Sequence, residues 1–258
     1  MALEKKKIGL FSLSCCEGCE CVIFEHPKEF LKAMADVEIV EARLLEDADV
    51  VWEKWDLAFV EGSALTSANL EVLKKIRENA GLLVTLGNCA EFGGVHKMKN
   101  YRGKEKLAKI LYQYPKTIDN PDVHDMENLV KVDYNIPGCP ITAGEFLRVT
   151  YDLLNGRTPK IAERTVCYEC QRRNFPCLLQ RGEPCFGPIT LGGCNAVCLA
   201  SRMPCEACRG FYEGANFDSL FGLIDKQVGK KRREELLEIF GVKDRLEKIL
   251  AAKKENKK

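Results

Sequence analysis

The sequence predicts an α/β protein: a doubly wound parallel sheet in the first part of the chain, then a smaller, irregular domain with helices at its end. Three observations carry that expectation. Short apolar runs alternate with helical spacing from the start of the chain, and a breaker cluster then interrupts the pattern. Beyond it, eight of the fourteen cysteines crowd into residues 167–208, where an aliphatic core is lacking.

Residues 8–13 (IGLFSL) form a short apolar run after a basic start, and residues 37–43 (VEIVEAR) alternate. Residues 56–61 (DLAFVE) and 82–86 (LLVTL) are nearly continuous apolar runs, the pattern of strands buried on both faces. Residues 20–34 and 66–79 carry helical spacing; Leu70, Leu73 and Ile76 share one face after an N-cap at Thr66 or Ser67. A last strand is expected over 129–136. Strand–helix alternation means parallel strands, whose functional groups gather in the loops after their carboxyl ends. The cysteines of the first half stand in those places: Cys15, Cys16, Cys19 and Cys21 after the first strand, Cys89 after LLVTLG, and Cys139 after residues 129–136.

The cluster NGRTP at 155–159 marks the boundary between a domain over 1–155 and a second over 156–258. In residues 160–212 cysteines and Gly/Pro pairs stand where a core would be, so bound metal has to supply folding energy that burial cannot. Residues 217–253 return to amphipathic helix, with Leu236, Leu237, Ile239 and Phe240, then Leu246, Ile249 and Leu250, before a frayed Lys-rich end.

Composition narrows the function. With 46% apolar residues the chain is globular, and 39 basic residues against 38 acidic ones give no drive toward nucleic acid or an anionic membrane. No run approaches the ~18 apolar residues of a spanning helix, and the start lacks a secretory signal, so a cytoplasmic location without membrane insertion is expected. Disulfide scaffolds are short and secreted; fourteen cysteines beside an intracellular-type α/β pattern point to metal instead. The eight downstream cysteines are Cys167, Cys170, Cys177, Cys185, Cys194, Cys198, Cys205 and Cys208, two complete sets of four. Thiolate is the soft ligand of iron–sulfur clusters and of zinc. A zinc-binding interaction module accounts for these eight but leaves Cys16, Cys19, Cys89 and Cys139 unexplained. His26, His96 and His124 lie outside ligand spacing, and Trp52 and Trp55 read as packing residues.

Cys16-Glu17-Gly18-Cys19, Gly87-Asn88-Cys89-Ala90 and Pro137-Gly138-Cys139-Pro140 together resemble the proximal cluster site of the small subunit of nickel–iron hydrogenases. The run CFGPITLGGCNAVCLASRMPCEACRG at 185–210 resembles the other two cluster sites of the cytoplasmic group, which includes the sulfhydrogenase delta subunit. The resemblance covers roughly residues 6–212 and implies a flavodoxin-like sheet domain and three 4Fe-4S clusters. By resemblance the proximal ligands are Cys16, Cys19, Cys89 and Cys139; the distal, Cys167, Cys170, Cys177 and Cys185; the medial, Cys194, Cys198, Cys205 and Cys208. Many relatives have histidine at the place of Cys167 and some have proline at that of Cys198, so here each set is four thiolates. The tandem Cys15-Cys16 also resembles the cluster-bearing subunit of complex I, in which adjacent cysteines both ligate iron and Cys15 would replace Cys19. Otherwise Cys15 and Cys21 are packed thiols. Relatives often place an acidic residue before the first ligand for proton passage, where this chain has Cys15.

Gly18, in the turn between Cys16 and Cys19, is expected to let backbone approach sulfide closely, and Gly93 and Gly94 to act similarly after Cys89. The cysteine motifs of the hydrogenase large subunit do not occur, so the hydrogen-splitting site belongs to another chain. Neither a G-x-G-x-x-G fingerprint nor a P-loop occurs, so flavin and nicotinamide bind elsewhere. What the resemblance implies is an electron-transfer subunit partnered by a NiFe large subunit and by diaphorase (flavin-containing) or ferredoxin-like iron–sulfur subunits. NADP is the implied terminal acceptor, with sulfur or polysulfide reduction as a side activity. A deazaflavin- or heterodisulfide-reductase-linked hydrogenase, or a complex I-like assembly, would use nearly the same chain.

Overall fold

The computed structural model describes residues 5–35, 37–42, 44–45 and 50–255. Arg43, expected at the end of the second strand, and the Lys-rich residues 256–258 lie outside that set. The chain forms two compact units, Met1–Lys160 and Ile161–Lys258.

In the first unit five parallel strands, β1 (Lys6–Ser12), β2 (Val37–Ala42), β3 (Trp55–Glu61), β4 (Ala80–Leu86) and β5 (Tyr134–Ile136), lie in the order β2-β1-β3-β4-β5. This is the flavodoxin-like order, with its switch point between β1 and β3. Helices α1 (Gly18–Phe24), α2 (Pro27–Ala33), α3 (Ser67–Asn79), α4 (Gly87–Phe92), α5 (Met98–Tyr101), α6 (Lys104–Leu111) and α7 (Ala143–Leu154) fill the connections.

Alternation along the strands sorts side chains to two faces. Ile8, Leu10, Leu57, Phe59, Val84, Leu86 and Ile136 meet Cys19 and Ile23 of α1, Phe30 of α2, and Phe146 and Val149 of α7. Phe11, Trp55, Ala58, Val60 and Leu83 meet Leu73 and Ile76 of α3 and Ala90 of α4. Each fully buried Leu, Val or Phe of this kind stabilises the fold by roughly 1.5–3 kcal/mol relative to exposure. Thr66 caps α3, its hydroxyl accepting from the Asn69 N–H at 3.1 Å.

Three expectations about element limits change. The helix expected over 20–34 is two helices, because Pro27 has no N–H to continue α1 and instead sits in the first turn of α2. The strand expected over 129–136 shortens to Tyr134–Ile136, preceded by a 3-10 turn at Met126–Asn128. Helical structure in the tail is broken at Gly229 and Gly241, both at positive φ.

In the second unit α8 (Val166–Arg172) and the short α9 (Val197–Ala200) are set among turns, tied by the isolated bridges Thr165–Leu191 and Thr190–Phe211. Then come α10 (Phe217–Val228), α11 (Lys230–Glu238) and α12 (Lys243–Glu255), which bury Leu220, Phe221, Ile224, Leu236, Leu237 and Leu246. The core around α8 holds Val166, Leu178, Ala196 and Leu199, with Cys185 and Cys205 buried among them.

Candidate metal centres

The first centre gathers loops at the carboxyl ends of β1, β4 and β5. Cys16 and Cys19 follow β1, with Glu17 between them in the left-handed region at φ 59°. Cys19 enters α1 and is buried at 6% exposure, whereas Cys16 is exposed. Cys89 lies in α4 directly after β4, and Cys139 follows β5. The Asn88 N–H donates to the Gly138 carbonyl at 2.7 Å and joins the last two loops. Cys19 is repelled by Cys139 and Cys89, and Cys89 by Cys139 and Cys16; with burial as the main cause, this pushes the Cys89 thiol up to about 12 and Cys19 well above the usual thiol range. Segments distant in sequence thus bring Cys16, Cys19, Cys89 and Cys139 together at the carboxyl end of the sheet.

Glycines leave the sulfurs room. A Cβ on Gly87 would lie 2.5 Å from Cys19 Sγ, and one on Gly94 would lie 2.7 Å from Cys89 Sγ; both residues have positive φ. Gly18 gives the space expected of it, its missing Cβ falling 3.3 Å from Cys16 Sγ, while Glu17 takes the left-handed turn. Gly93 departs from the expected role, its missing Cβ facing Val123 at 2.7 Å.

Beneath Cys19 lies Glu61, 2% exposed, at the carboxyl end of β3. Its two oxygens accept the backbone N–H groups of Cys19 and Glu20 at 3.1 and 2.9 Å, which fixes the start of α1. Glu20, fully buried, accepts from the Ser12 hydroxyl. Burial lifts both carboxyls above the ordinary range. Ser63 Oγ donates to the carbonyls of Cys89 and Gly93 at 2.8 and 3.1 Å, and His96 Nδ1 lies 3.3 Å from the same hydroxyl. Neither Glu61 nor Ser63 stands out in sequence; the one signal is an acidic residue ending the otherwise apolar run DLAFVE.

Cys15 is half-buried, its thiol 3.7 Å from the Leu13 carbonyl and raised by burial to about 11. Cys21, expected to be packed, is exposed, because α1 turns Cys19, Glu20 and Ile23 inward and leaves residue 21 outward.

In the second unit Cys167, Cys170, Cys177 and Cys185 together line a small, partly open pocket, walled also by Val166, Leu178, Leu179, Gly187, Pro188 and Leu199. The Cys167 N–H donates to the Gly187 carbonyl at 3.0 Å, holding α8 against the turn after Cys185. Burial and mutual repulsion raise Cys167, Cys170 and Cys185. Four thiols in one small apolar-walled pocket fit an iron–sulfur cluster, since holding them all as thiolates requires positive charge among them.

The remaining four are less closely drawn together. Burial, with Cys194 and Glu206 nearby, raises Cys198, and burial, with Cys208 nearby, raises Cys205. Cys185 acts on both Cys198 and Cys205 and so is the group the two pairs share. Cys205 Sγ donates to Thr190 Oγ1 and its N–H to Cys185 Sγ, both at 3.4 Å. Among the described residues no three His, Cys, Asp or Glu side chains converge on a single metal ion; a 4Fe-4S cube, with each thiolate on its own iron, asks for a wider arrangement.

The family model described as NADH ubiquinone oxidoreductase, 20 Kd subunit, matches residues 16–153, the part carrying the first centre. Sulfhydrogenase 2 subunit delta of Pyrococcus furiosus is 31% identical over 233 residues, 88% of this chain and 98% of that protein. This chain belongs to that family, among the small subunits of NiFe hydrogenases. A subunit of the F420-non-reducing hydrogenase vhu of Methanocaldococcus jannaschii is 30% identical over 79% of this chain and 81% of that protein. Among solved structures, a chain of an NAD+-reducing [NiFe]-hydrogenase in its H2-reduced state matches with TM-score 0.54 and 30% identity, covering 60% of this chain and 94% of its own. As a NiFe-hydrogenase small subunit the chain binds iron–sulfur, pairs with a large subunit and leaves the hydrogen-activating site to that subunit. Among the described residues no helix is long and apolar enough to cross a membrane.

Proposed function

We propose that this hydrogenase small subunit relays single electrons through three 4Fe-4S clusters, between the NiFe site of its large subunit and a diaphorase or ferredoxin-like partner in the cytoplasm. The observation that carries this reading is the convergence of Cys16, Cys19, Cys89 and Cys139 from loops after three different strands. Cys167, Cys170, Cys177 and Cys185 hold the distal cluster, and Cys194, Cys198, Cys205 and Cys208 the medial one. When bound, iron–sulfide clusters supply one-electron storage. The chain's own part is to fix the ligands and to keep the donors near Cys19 and Cys89 in place: Glu61 pins the start of α1, and Ser63 ties Cys89 to Gly93. NADP is the terminal acceptor on this reading, with sulfur or polysulfide as a secondary one.

The test is iron and acid-labile sulfide in the anaerobically purified complex, with about twelve of each per copy of this chain expected. Cys139→Ser is expected to lose about four irons and to stop hydrogen-driven dye reduction while sparing hydrogen–deuterium exchange at the large subunit. Stoichiometric zinc without sulfide would refute the relay, whereas equal loss of both activities in Cys139→Ser would show collapse of the assembly.

A further inference from the structure

A second, open pocket in the Ile161–Lys258 unit is lined by Arg164, Glu169, Arg172, Arg173 and Asn195. Glu169 stands between Cys167 and Cys170 on α8, and Asn195 follows Cys194, so this pocket borders residues of both downstream cysteine sets. Its charges do not cancel. Glu169, 6% exposed, accepts at Oε1 from Arg164 Nε at 3.0 Å and from the Gly193 N–H at 2.8 Å, and Arg164 Nη2 lies 2.9 Å away. The Arg164 charge is therefore neutralised. Arg172 lies over the Tyr168 ring, 5.9 Å from its centroid, and Arg173 follows it; both are exposed, and among the described residues neither meets a carboxylate.

Two guanidinium groups thus stand unneutralised at the rim, within one helical turn of Cys170, on a chain whose net charge is only +1. Guanidinium presents paired donors that match a carboxylate, and exposed like charges of this kind steer an oppositely charged partner before contact. We propose that this arginine-rimmed pocket docks an acidic electron-carrier protein, whose surface carboxylates pair with Arg172 and Arg173 and so bring its redox centre to the Cys167–Cys185 cluster. The proposal rests on the relay reading above. One electron leaves the reduced cluster and enters the oxidised centre of the carrier, and no bond is made or broken.

The experiment uses the intact complex under hydrogen with three acceptors: a plant-type 2Fe-2S ferredoxin, which is acidic; cytochrome c, which is basic; and benzyl viologen, which needs no docking. The unmodified complex is expected to reduce ferredoxin about tenfold more slowly at about 300 mM salt than at about 50 mM. In R172E/R173E, binding of oxidised ferredoxin to the complex at low salt, read by surface plasmon resonance, and ferredoxin reduction both fall about tenfold and lose their salt dependence, benzyl viologen is unaffected, and cytochrome c is reduced as fast or faster. R172K/R173K keeps most of the rate, because the charge is retained. Equal losses with all three acceptors, or ferredoxin reduction indifferent to salt in the unmodified complex, would overturn the docking site. Failure of the unmodified complex to reduce benzyl viologen would instead remove the relay reading, and the docking site with it.

Discussion

The two units hold their cysteines in opposite ways. In Met1–Lys160 the strands supply the core, with Leu57, Phe59, Leu83 and Val84 essentially unexposed, and the candidate ligands follow the carboxyl ends of the strands, Cys16 and Cys139 exposed in loops, Cys89 half-buried in α4 and Cys19 alone buried, at the start of α1. In Ile161–Lys258 the cysteines are themselves part of the interior: Cys185 and Cys205 are buried beside Val166 and Leu199, and short bridges stand in place of a sheet. Burial of aliphatic side chains positions the first centre before any iron arrives. Around α8, by contrast, the four thiols and the structure that holds them need each other, because buried thiols repel when ionised and leave a gap when empty.

Removing iron should give the largest break in this comparison. Anaerobic chelation is expected to abolish amide protection over 161–212 while β3 and β4 stay protected, a loss on the order of several kcal/mol in the second unit alone, read by hydrogen-exchange mass spectrometry. Uniform loss across both units would mean that the sheet also depends on its cluster. A cut into the aliphatic core should give the mirror image. Phe59→Ala removes a ring packed 4.9 Å from Phe146 and should cost about 3–5 kcal/mol, seen as faster exchange in β3 and β4.

A smaller effect is expected from the acidic floor beneath the first centre. The Glu20 carboxyl is raised in the folded chain, so its contribution to stability is complete below the ordinary carboxylate range and is lost as pH rises through the raised value. Glu20→Gln cannot ionise, and relative to the unmodified chain it should therefore gain stability on going from about pH 5 to about pH 8, in denaturant titrations at the two pH values. A constant difference between the two would show that Glu20 is already ionised when folded. The smallest effect belongs to the exposed thiol. Cys21→Ser should change stability by less than about 0.5 kcal/mol and leave iron content as it was, whereas any loss of iron would bring Cys21 into the ligand set.

Much of the fold was legible because parallel strands buried on both faces must be apolar throughout, as residues 56–61 and 82–86 are. The limits of elements were harder to read. Pro27 splits a helix that periodicity alone would run through, and residues 129–133 are apolar enough to suggest a strand that packing does not form. The candidate ligands were legible as cysteines in motifs; the acid at the end of β3 was not, because nothing in DLAFVE says that its final carboxylate will cap α1 beneath Cys19.

By itself the sequence determined the chemistry: fourteen thiols, the spacing that groups them, and strand patterns that put one set on loops at one end of a sheet. Only the tertiary structure decided which groups meet. Glu61 lies beneath Cys19, Ser63 bridges Cys89 and Gly93, and two arginines remain unneutralised at the end of α8. The physical reason is that periodicity reports local burial, whereas hydrogen bonds and charge neutralisation depend on groups brought together across the chain, a distance that no local pattern encodes.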